Sequence, residues 1–361
     1  MVGVKGDDLD ANYKFVDLFA GIGGFHFGLS AQGAECVYAN EWDKYAAATY
    51  RRWTGHEEVS EEDIRSVDPA SIPDHDILCG GFPCQPFSLA GVSKKNSLGR
   101  KHGFEDDQQG NLFFAIQGIA EAKRPRALFL ENVKNLKSHD GRNTWRVIRE
   151  VIEDELGYRL HDQIIDAAGW VPQHRERIFL VAFDLDHFTQ DEDLAFRFPD
   201  PPAGQPPRLR DILDSSPDKS LMISDRLWEY LQEYAEKHRA KGNGFGFGIA
   251  DRNGVPRTMS ARYYKDGSEI LIRQPRWRNP RRLSFDEAAR LMGFDAQFSI
   301  PAGHGDKFPQ VNSLSQSYRQ FGNSVSPKVT TAIAAEIIRI LEAKDSKTTQ
   351  SGRRQTSKKA S

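Results

Sequence analysis

A cysteine flanked by two prolines, in Gly80-Gly81-Phe82-Pro83-Cys84-Gln85-Pro86, directly follows the apolar run Ile77-Leu78-Cys79. A thiol where a buried strand ends lies at the ligand crevice of an α/β sheet, and the prolines restrain its backbone. Cys84 therefore reads as a nucleophile, whereas Cys36 and Cys79, inside apolar runs, read as small buried hydrophobes. Two more segments bring titratable groups to strand ends. Ala127-Leu128-Phe129-Leu130 runs into Glu131-Asn132-Val133, so Glu131 is a carboxyl at the edge of a buried strand. Desolvation there raises its pKa, which suits a proton donor. In Gln173-His174-Arg175-Glu176-Arg177, an extended backbone puts Arg175 and Arg177 on one face, where two guanidiniums can grip a carboxylate, a phosphate or a base edge.

The elements that position these groups alternate. Strands are predicted at 14–19, 35–40, 75–79, 127–130 and 177–183, and helices at 42–53, 111–122 and 144–156. This order predicts a doubly wound α/β fold with a parallel sheet covered on both faces. The first strand opens into Phe19-Ala20-Gly21-Ile22-Gly23-Gly24. It is not a dinucleotide fingerprint, because His26 stands where a third glycine belongs, which disfavours a nicotinamide oxidoreductase. Glu41, 20 residues after Gly21 at the end of the second strand, is placed to take ribose hydroxyls, and the Trp42 ring can stack on adenine. Together they point to an adenosine-containing cofactor. No Lys-Ser/Thr phosphate loop supports a nucleoside triphosphate.

The chain has 361 residues, enough for one large domain and a smaller one, with 39% hydrophobic residues and a formal net charge of −2. Global charge gives no argument for nucleic acid, but Arg273, Arg276, Arg278, Arg281 and Arg282 surround Trp277 without an intervening acid. No apolar run reaches the ~18 residues of a membrane span. The polar start, 1–12, has no signal-peptide core, and three cysteines make no disulfide framework, so a cytoplasmic protein is expected. Composition predicts a flexible segment at 1–12, a catalytic domain at 13–200 ending in the Pro-rich stretch 199–207, a second domain at 201–310, a returning segment at 311–343 with a helix from Lys328, and a disordered tail at 344–361. Between 208 and 284 no clear periodicity appears; a short helix is predicted at 285–292.

The ordered series Phe-x-Gly-x-Gly-Gly, Pro-Cys-Gln, Glu-Asn-Val, Gln-x-Arg-x-Arg and Gly-Asn-Ser-Val resembles the DNA (cytosine-5)-methyltransferase family from about Phe15 to Ala343. Segments 88–100, 136–140 and 260–272 are similar to bacterial Dcm-type methylases. The resemblance implies a Rossmann-like catalytic domain binding S-adenosyl-L-methionine and releasing S-adenosyl-L-homocysteine, no metal, and a smaller target-recognition domain with double-stranded DNA in the cleft. It implies that Cys84 adds to C6 of a flipped-out cytosine while Glu131 protonates N3, and that Arg177 with Arg175 holds O2 and orients Glu131. It places Phe19, Gly21, Gly23 and Gly24 along the methionine part of the cofactor, Glu41 on the ribose, and Trp42, Asp63 and Ile64 around adenine, with Leu112, Asn323, Ser324 and Val325 completing the pocket. Gln85 and Ser88 are expected to touch DNA, together with Arg257, Arg262, Arg273 and Arg276 in a recognition region from Leu209 to Arg282. The target expected is a short C/G-rich palindrome such as CCWGG or CCGG, methylated by a monomer acting twice, with a restriction endonuclease as a possible companion. Gln109 stands where many relatives carry arginine, which puts a loop-anchoring ion pair in doubt. A tRNA methylase of the same fold and a catalytically silent DNA-binding regulator are the competing readings.

Overall fold

The computed structural model describes residues 13–83, 112–188, 195–243, 246–298 and 307–359, side chains after 347 excepted. The strands are β1 (Lys14–Leu18), β2 (Glu35–Asn40), β3 (Val59–Ser60), β4 (Ile77–Gly81), β5 (Ala127–Val133), β6 (Tyr158–Asp166) and β7 (Glu176–Asp184), in one sheet of order β3-β2-β1-β4-β5-β7-β6. The longer helices are α1 (Gly24–Ser30), α2 (Lys44–Thr54), α3 (Leu112–Lys123), α4 (Asn143–Glu150), α5 (Asp225–Ala240), α6 (Phe285–Met292), α7 (Leu314–Asn323) and α8 (Pro327–Lys359). Burial explains the central strands: β1, β4 and β5 are almost continuously apolar because helices cover both of their faces. Phe25 and Leu29 of α1 and the apolar stripe of α8 from Val329 to Leu341 cover one face, and α3 and α4 cover the other.

The sheet is mixed rather than parallel throughout. β7 runs antiparallel to both β5 and β6. The sequence reading missed β6, whose polar residues suit an edge strand packed on one side. Only 167–175 separate β6 from β7, too few for a crossover helix, so the two pair as a hairpin. The antiparallel step carries the start of β7 to the carboxyl end of β5, pairing Val133 with Arg177.

Two other expectations change. Helix α5 falls in the stretch that lacked clear periodicity; it leaves most of its surface exposed and buries Leu231, so no wide apolar stripe marks it. The tail expected to lose order at residue 344 continues α8 to Lys359. Asp345 accepts hydrogen bonds from Tyr13 (2.8 Å) and Arg126 (2.8 Å), anchoring the helix beyond that boundary through partners more than 200 residues away in sequence.

Residues from Leu209 to Phe308 share a hydrophobic cluster with Ile22, Phe27 and Trp53 of the first domain and with Tyr318 and Phe321 of α7. Within this region Arg281 is fully buried and makes a two-pronged ion pair with Glu287 (2.6 and 2.7 Å). Glu287 also accepts from the backbone N–H groups of Asp214 and Ser284, both at 2.8 Å. Arg281 is therefore a core residue, not part of a basic surface run. Removing one partner of such a pair strands the other charge. Arg281→Met is expected to cost about 3–5 kcal/mol in urea unfolding, and the double variant Arg281→Met/Glu287→Leu clearly less than that.

Candidate active site

The carboxyl ends of β1, β2, β4 and β5 and the start of β7 line one edge of the sheet. The order reverses between β1 and β4, the switch point where α/β sheets open a ligand crevice. On one side of it, Phe19 adopts φ 54°, Gly21 φ 57° and Gly23 φ 91°, the last as the N-terminal cap of α1. These three positive-φ residues, with Ala20 and Ile22 between them, turn the chain away from β1 and begin the helix beside the crevice. Gly24 serves another purpose, since a Cβ there would lie 2.6 Å from both Val325 Cγ1 and the Val325 carbonyl oxygen. Thr330 Oγ1 donates to the Gly24 carbonyl at 2.7 Å. These contacts bring the C-terminal segment to the glycine turn, joining parts of one site that are three hundred residues apart.

Glu41 is buried and uses both oxygens: Oε2 accepts from Gly21 N (2.9 Å) and Oε1 from Asp43 N (2.8 Å). Burial raises its pKa and the two backbone donors oppose the rise. Beside it Trp42 is 72% exposed, a free ring face at a strand end. Asn40 reaches from β2 to the carbonyls of Ser60 (3.2 Å) and Glu62 (2.9 Å), fixing the segment that carries Asp63 and Ile64. Ile64 is buried, while Asp63 caps the following turn through Arg65 N at 3.0 Å and pairs with the Arg65 guanidinium. Leu112 begins α3 and packs on the same apolar cluster as Ile64. Asn323 is exposed, and Ser324 and Val325 are buried against the glycine turn. Glycine backbone, a buried carboxylate and an exposed indole at these strand ends are groups of the kind an adenosine bearing a short polar chain requires.

On the other side of the crevice, Glu131 Oε1 meets Arg177 Nε at 2.9 Å. Burial raises the Glu131 pKa, and the charges of Arg177 and then Arg175 pull it back. Glu131 pairs in register with Gly81, where an added Cβ would lie 3.1 Å from Glu131 Oε2. Its neighbour Asn132 donates to the Phe82 carbonyl at 2.8 Å. The end of β4 is thus tied to the Glu131 strand at the two residues that lead into Pro83. Cys84, Gln85 and Ser88 lie outside the described residues.

Arg175 acts on Glu131 through its charge, without a hydrogen bond to it. It is 2% exposed, and its guanidinium donates to the carbonyls of Met259 (3.2 Å), Gly322 (2.9 Å) and Ser324 (2.6 Å). Those bonds make it a tether between segments, and only Arg177 touches Glu131. Of the four candidate DNA arginines, Arg257, Arg262, Arg273 and Arg276 are all exposed; Arg273 lies over the Trp228 ring at 5.8 Å and Arg276 has φ 68°. Their neighbour Arg278 is paired with Asp225 at 2.7 Å.

Three residues that organise this edge were given no role by sequence reasoning: Asp17, Asn132 and Gln173. Asp17 is wholly buried and accepts from Tyr50 at 3.3 Å, with Tyr50 in turn 2.8 Å from His26 Nδ1. An acid in the middle of the strand Phe15-Val16-Asp17-Leu18 was its visible signal, because a buried carboxyl requires partners. Gly322 closes the site from the C-terminal side. A Cβ there would lie 2.2 Å from Ala261 N and 2.3 Å from the Ser260 carbonyl carbon, both backbone. Gly322→Ala is expected to destabilise the protein by at least about 1–3 kcal/mol in chemical denaturation.

Comparison with known proteins agrees with this geometry. The family model for C-5 cytosine-specific DNA methylases matches residues 13–339. The DNA-cytosine methyltransferase of Escherichia coli (strain K12) is 44% identical over 378 residues, covering 89% of this chain and 76% of the relative. The type II methyltransferase M.NlaX of Neisseria lactamica is 46% identical over 335 residues, covering 92% of this chain and 98% of its own. Among solved structures, the S. pombe Dnmt2 methyltransferase superposes with a TM-score of 0.66 at 19% identity, over 92% of this chain and 100% of that one, a likeness of fold. Matched by the family model over most of its length and 44% identical to a relative of that activity, the chain belongs to the C-5 cytosine-specific DNA methylase family and is a DNA-cytosine methyltransferase.

Proposed function

We propose that the protein methylates C5 of a cytosine flipped out of a short C/G-rich palindrome in double-stranded DNA, CCWGG and CCGG being the candidate sites, by way of a covalent bond between Cys84 and C6. The observation that carries this reading is the buried Glu131–Arg177 pair over Gly81, three residues before Cys84. C5 of cytosine is a weak nucleophile, and addition of a thiolate to C6 makes it enamine-like. Cys84 supplies that thiolate. Glu131, whose pKa burial raises against the pull of Arg177 and Arg175, gives a proton to N3 as the Cys84–C6 bond forms. Arg177 orients the carboxyl and can donate to O2. S-adenosyl-L-methionine, held by the glycine turn, Glu41 and Trp42, is the methyl donor. Loss of the C5 proton to a base then expels Cys84, and the N3 proton returns to Glu131. The base must leave the helix to reach Cys84, at a few kcal/mol of unstacking.

Arg257, Arg262, Arg273 and Arg276 are proposed to meet guanine edges or phosphates. High identity to relatives named for DNA cytosine methylation supports DNA over tRNA as substrate, and the presence of Cys84, Glu131 and Arg177 together supports an active enzyme over a silent binder. A type II relative supports a setting in restriction-modification; a companion endonuclease of the same specificity, and a monomer that acts twice on a symmetric site, belong to the same proposal. Among the described residues no helix is long and apolar enough to cross a membrane.

Expression in a bacterial host without cytosine methylases, followed by base-resolution sequencing of 5-methylcytosine, tests the function directly. One short methylated motif, absent with Cys84→Ser, is the expected result; no methylation by the soluble wild-type protein refutes it. Raising the pKa of Glu131 keeps its acid form to higher pH than an ordinary carboxyl near ~4.3. The single-turnover rate is therefore expected to fall as pH rises through that pKa, while Cys84 ionisation acts in the opposite direction. Glu131→Gln is expected to lower the rate by about 10²–10⁴-fold and to remove the Glu131-dependent fall.

A further inference from the structure

The stretch 173–175 is joined to 256–259 of the recognition region by bonds to both backbone and side chains. His174 N donates to the Pro256 carbonyl at 2.9 Å, and Thr258 Oγ1 donates to the His174 carbonyl. Around Met259 the grip is double: its N–H donates to Gln173 Oε1 at 2.7 Å and its carbonyl accepts from Arg175 at 3.2 Å. The Gln173 amide also donates to the Leu291 carbonyl in α6 at 3.2 Å. Gln173 and Met259 have no exposed surface, and the Met259 side chain lies in the cluster shared by both regions. The buried bonds among them, those of Gln173 and Arg175 to Met259 and Leu291, are expensive to break because their groups have no water to turn to.

The placement of the joint matters more than its strength. Arg177, which holds Glu131, is two residues from Arg175, and the exposed Arg257 is two residues from Met259. Two extended residues span only about 7 Å. The groups proposed to hold the target base and those proposed to read its neighbours are thus both referred to one buried joint, with little chain between to absorb a shift. Arg175 extends the joint to Gly322 and Ser324 at the cofactor side.

We infer that Gln173 is a specificity-setting positioning residue, whose amide, clamping Met259 with Arg175, holds the recognition region in register with the Glu131–Arg177 pair. It touches neither base nor cofactor. The inference rests on the reading of 209–282 as the DNA-recognition region. If the register is loosened, DNA bound one base away from the correct sequence presents its cytosine nearly as well as the cognate site does.

The test uses the full-length protein in the methylase-free host. Wild type and Gln173→Leu are compared for methylation at sites differing by one base from the wild-type consensus, relative to the consensus itself, at matched expression. The near-cognate to consensus ratio is expected to rise at least tenfold in Gln173→Leu, while S-adenosyl-L-methionine affinity by calorimetry changes less than threefold. A uniform loss of methylation with an unchanged ratio overturns the inference and leaves Gln173 a packing residue. Should Gln173→Leu fail to accumulate, Thr258→Val, which removes only the bond to the His174 carbonyl, is expected to raise the same ratio by a smaller factor, and an unchanged ratio there overturns the inference. Arg257→Ala and Arg262→Ala separate the two layers: if both leave the consensus and DNA affinity unaltered, the recognition reading itself fails, whereas a consensus lost in these variants with an unchanged ratio in Gln173→Leu removes the joint alone.

Discussion

A guanidinium sealed from solvent depends on the acceptors it can reach, and the two terminal nitrogens of Arg175 reach three carbonyls in two stretches far from it in sequence, Met259 on one side and Gly322 and Ser324 on the other, while its Nε has no partner among the described residues. Few side chains could do this, because the planar fork of arginine presents several donors in fixed directions. The consequence spreads along the sheet edge. Arg175 is followed two residues later by Arg177 against Glu131, Ser324 by Val325 against Gly24, and Met259 by the Ser260–Ala261 backbone against Gly322. The glycine turn after β1, the Glu131–Arg177 pair and the stretch 259–261 are therefore all linked to one buried charge.

The chemistry of the edge depends on a contrast in how its charged groups are treated. Glu41 is buried yet satisfied by two backbone N–H groups, which favour its ionised form and make it an acceptor suited to hydroxyls. Glu131 is buried beside Gly81 with Arg177 as its hydrogen-bond partner, and burial is the dominant influence, which suits it to hold a proton. Burial raises the pKa of both glutamates, and they differ in what opposes the rise: two backbone N–H groups at Glu41, the charges of Arg177 and then Arg175 at Glu131. Asp17 is likewise raised by burial and accepts from Tyr50.

Much of the site was legible because strand ends announce themselves. A run such as Ala127-Leu128-Phe129-Leu130 followed by Glu131 marks both a buried strand and the group at its edge, and Phe19-x-Gly21-x-Gly23-Gly24 marks a turn that only glycine-rich backbone makes. The helices expected at 42–53, 111–122 and 285–292 lie within two residues of both ends, whereas the one expected at 144–156 is α-helical only to Glu150 and goes on as a π-helical turn, Val151–Glu155. Hidden from view were elements whose stability comes from elsewhere: the edge strand β6, recruited by its hairpin with β7; helix α5, largely exposed; and the end of α8, held by Tyr13 and Arg126. Two arginines two residues apart were indistinguishable as letters, though one faces Glu131 and the other is enclosed by carbonyls.

By itself, then, the amino-acid sequence determined the candidate residues at the strand ends, through side-chain chemistry and local periodicity, and the reaction class, through the ordered motifs in which it resembles a known family. Tertiary structure alone decided the reversed direction of β7, the burial of Arg281 with Glu287, the division of labour between Arg175 and Arg177, and the clamp of Gln173 on Met259. Each of those is a matter of which distant backbone atom lies within about 3 Å of a donor. Local sequence carries no record of that distance, which is set only when the packed layers bring the segments together.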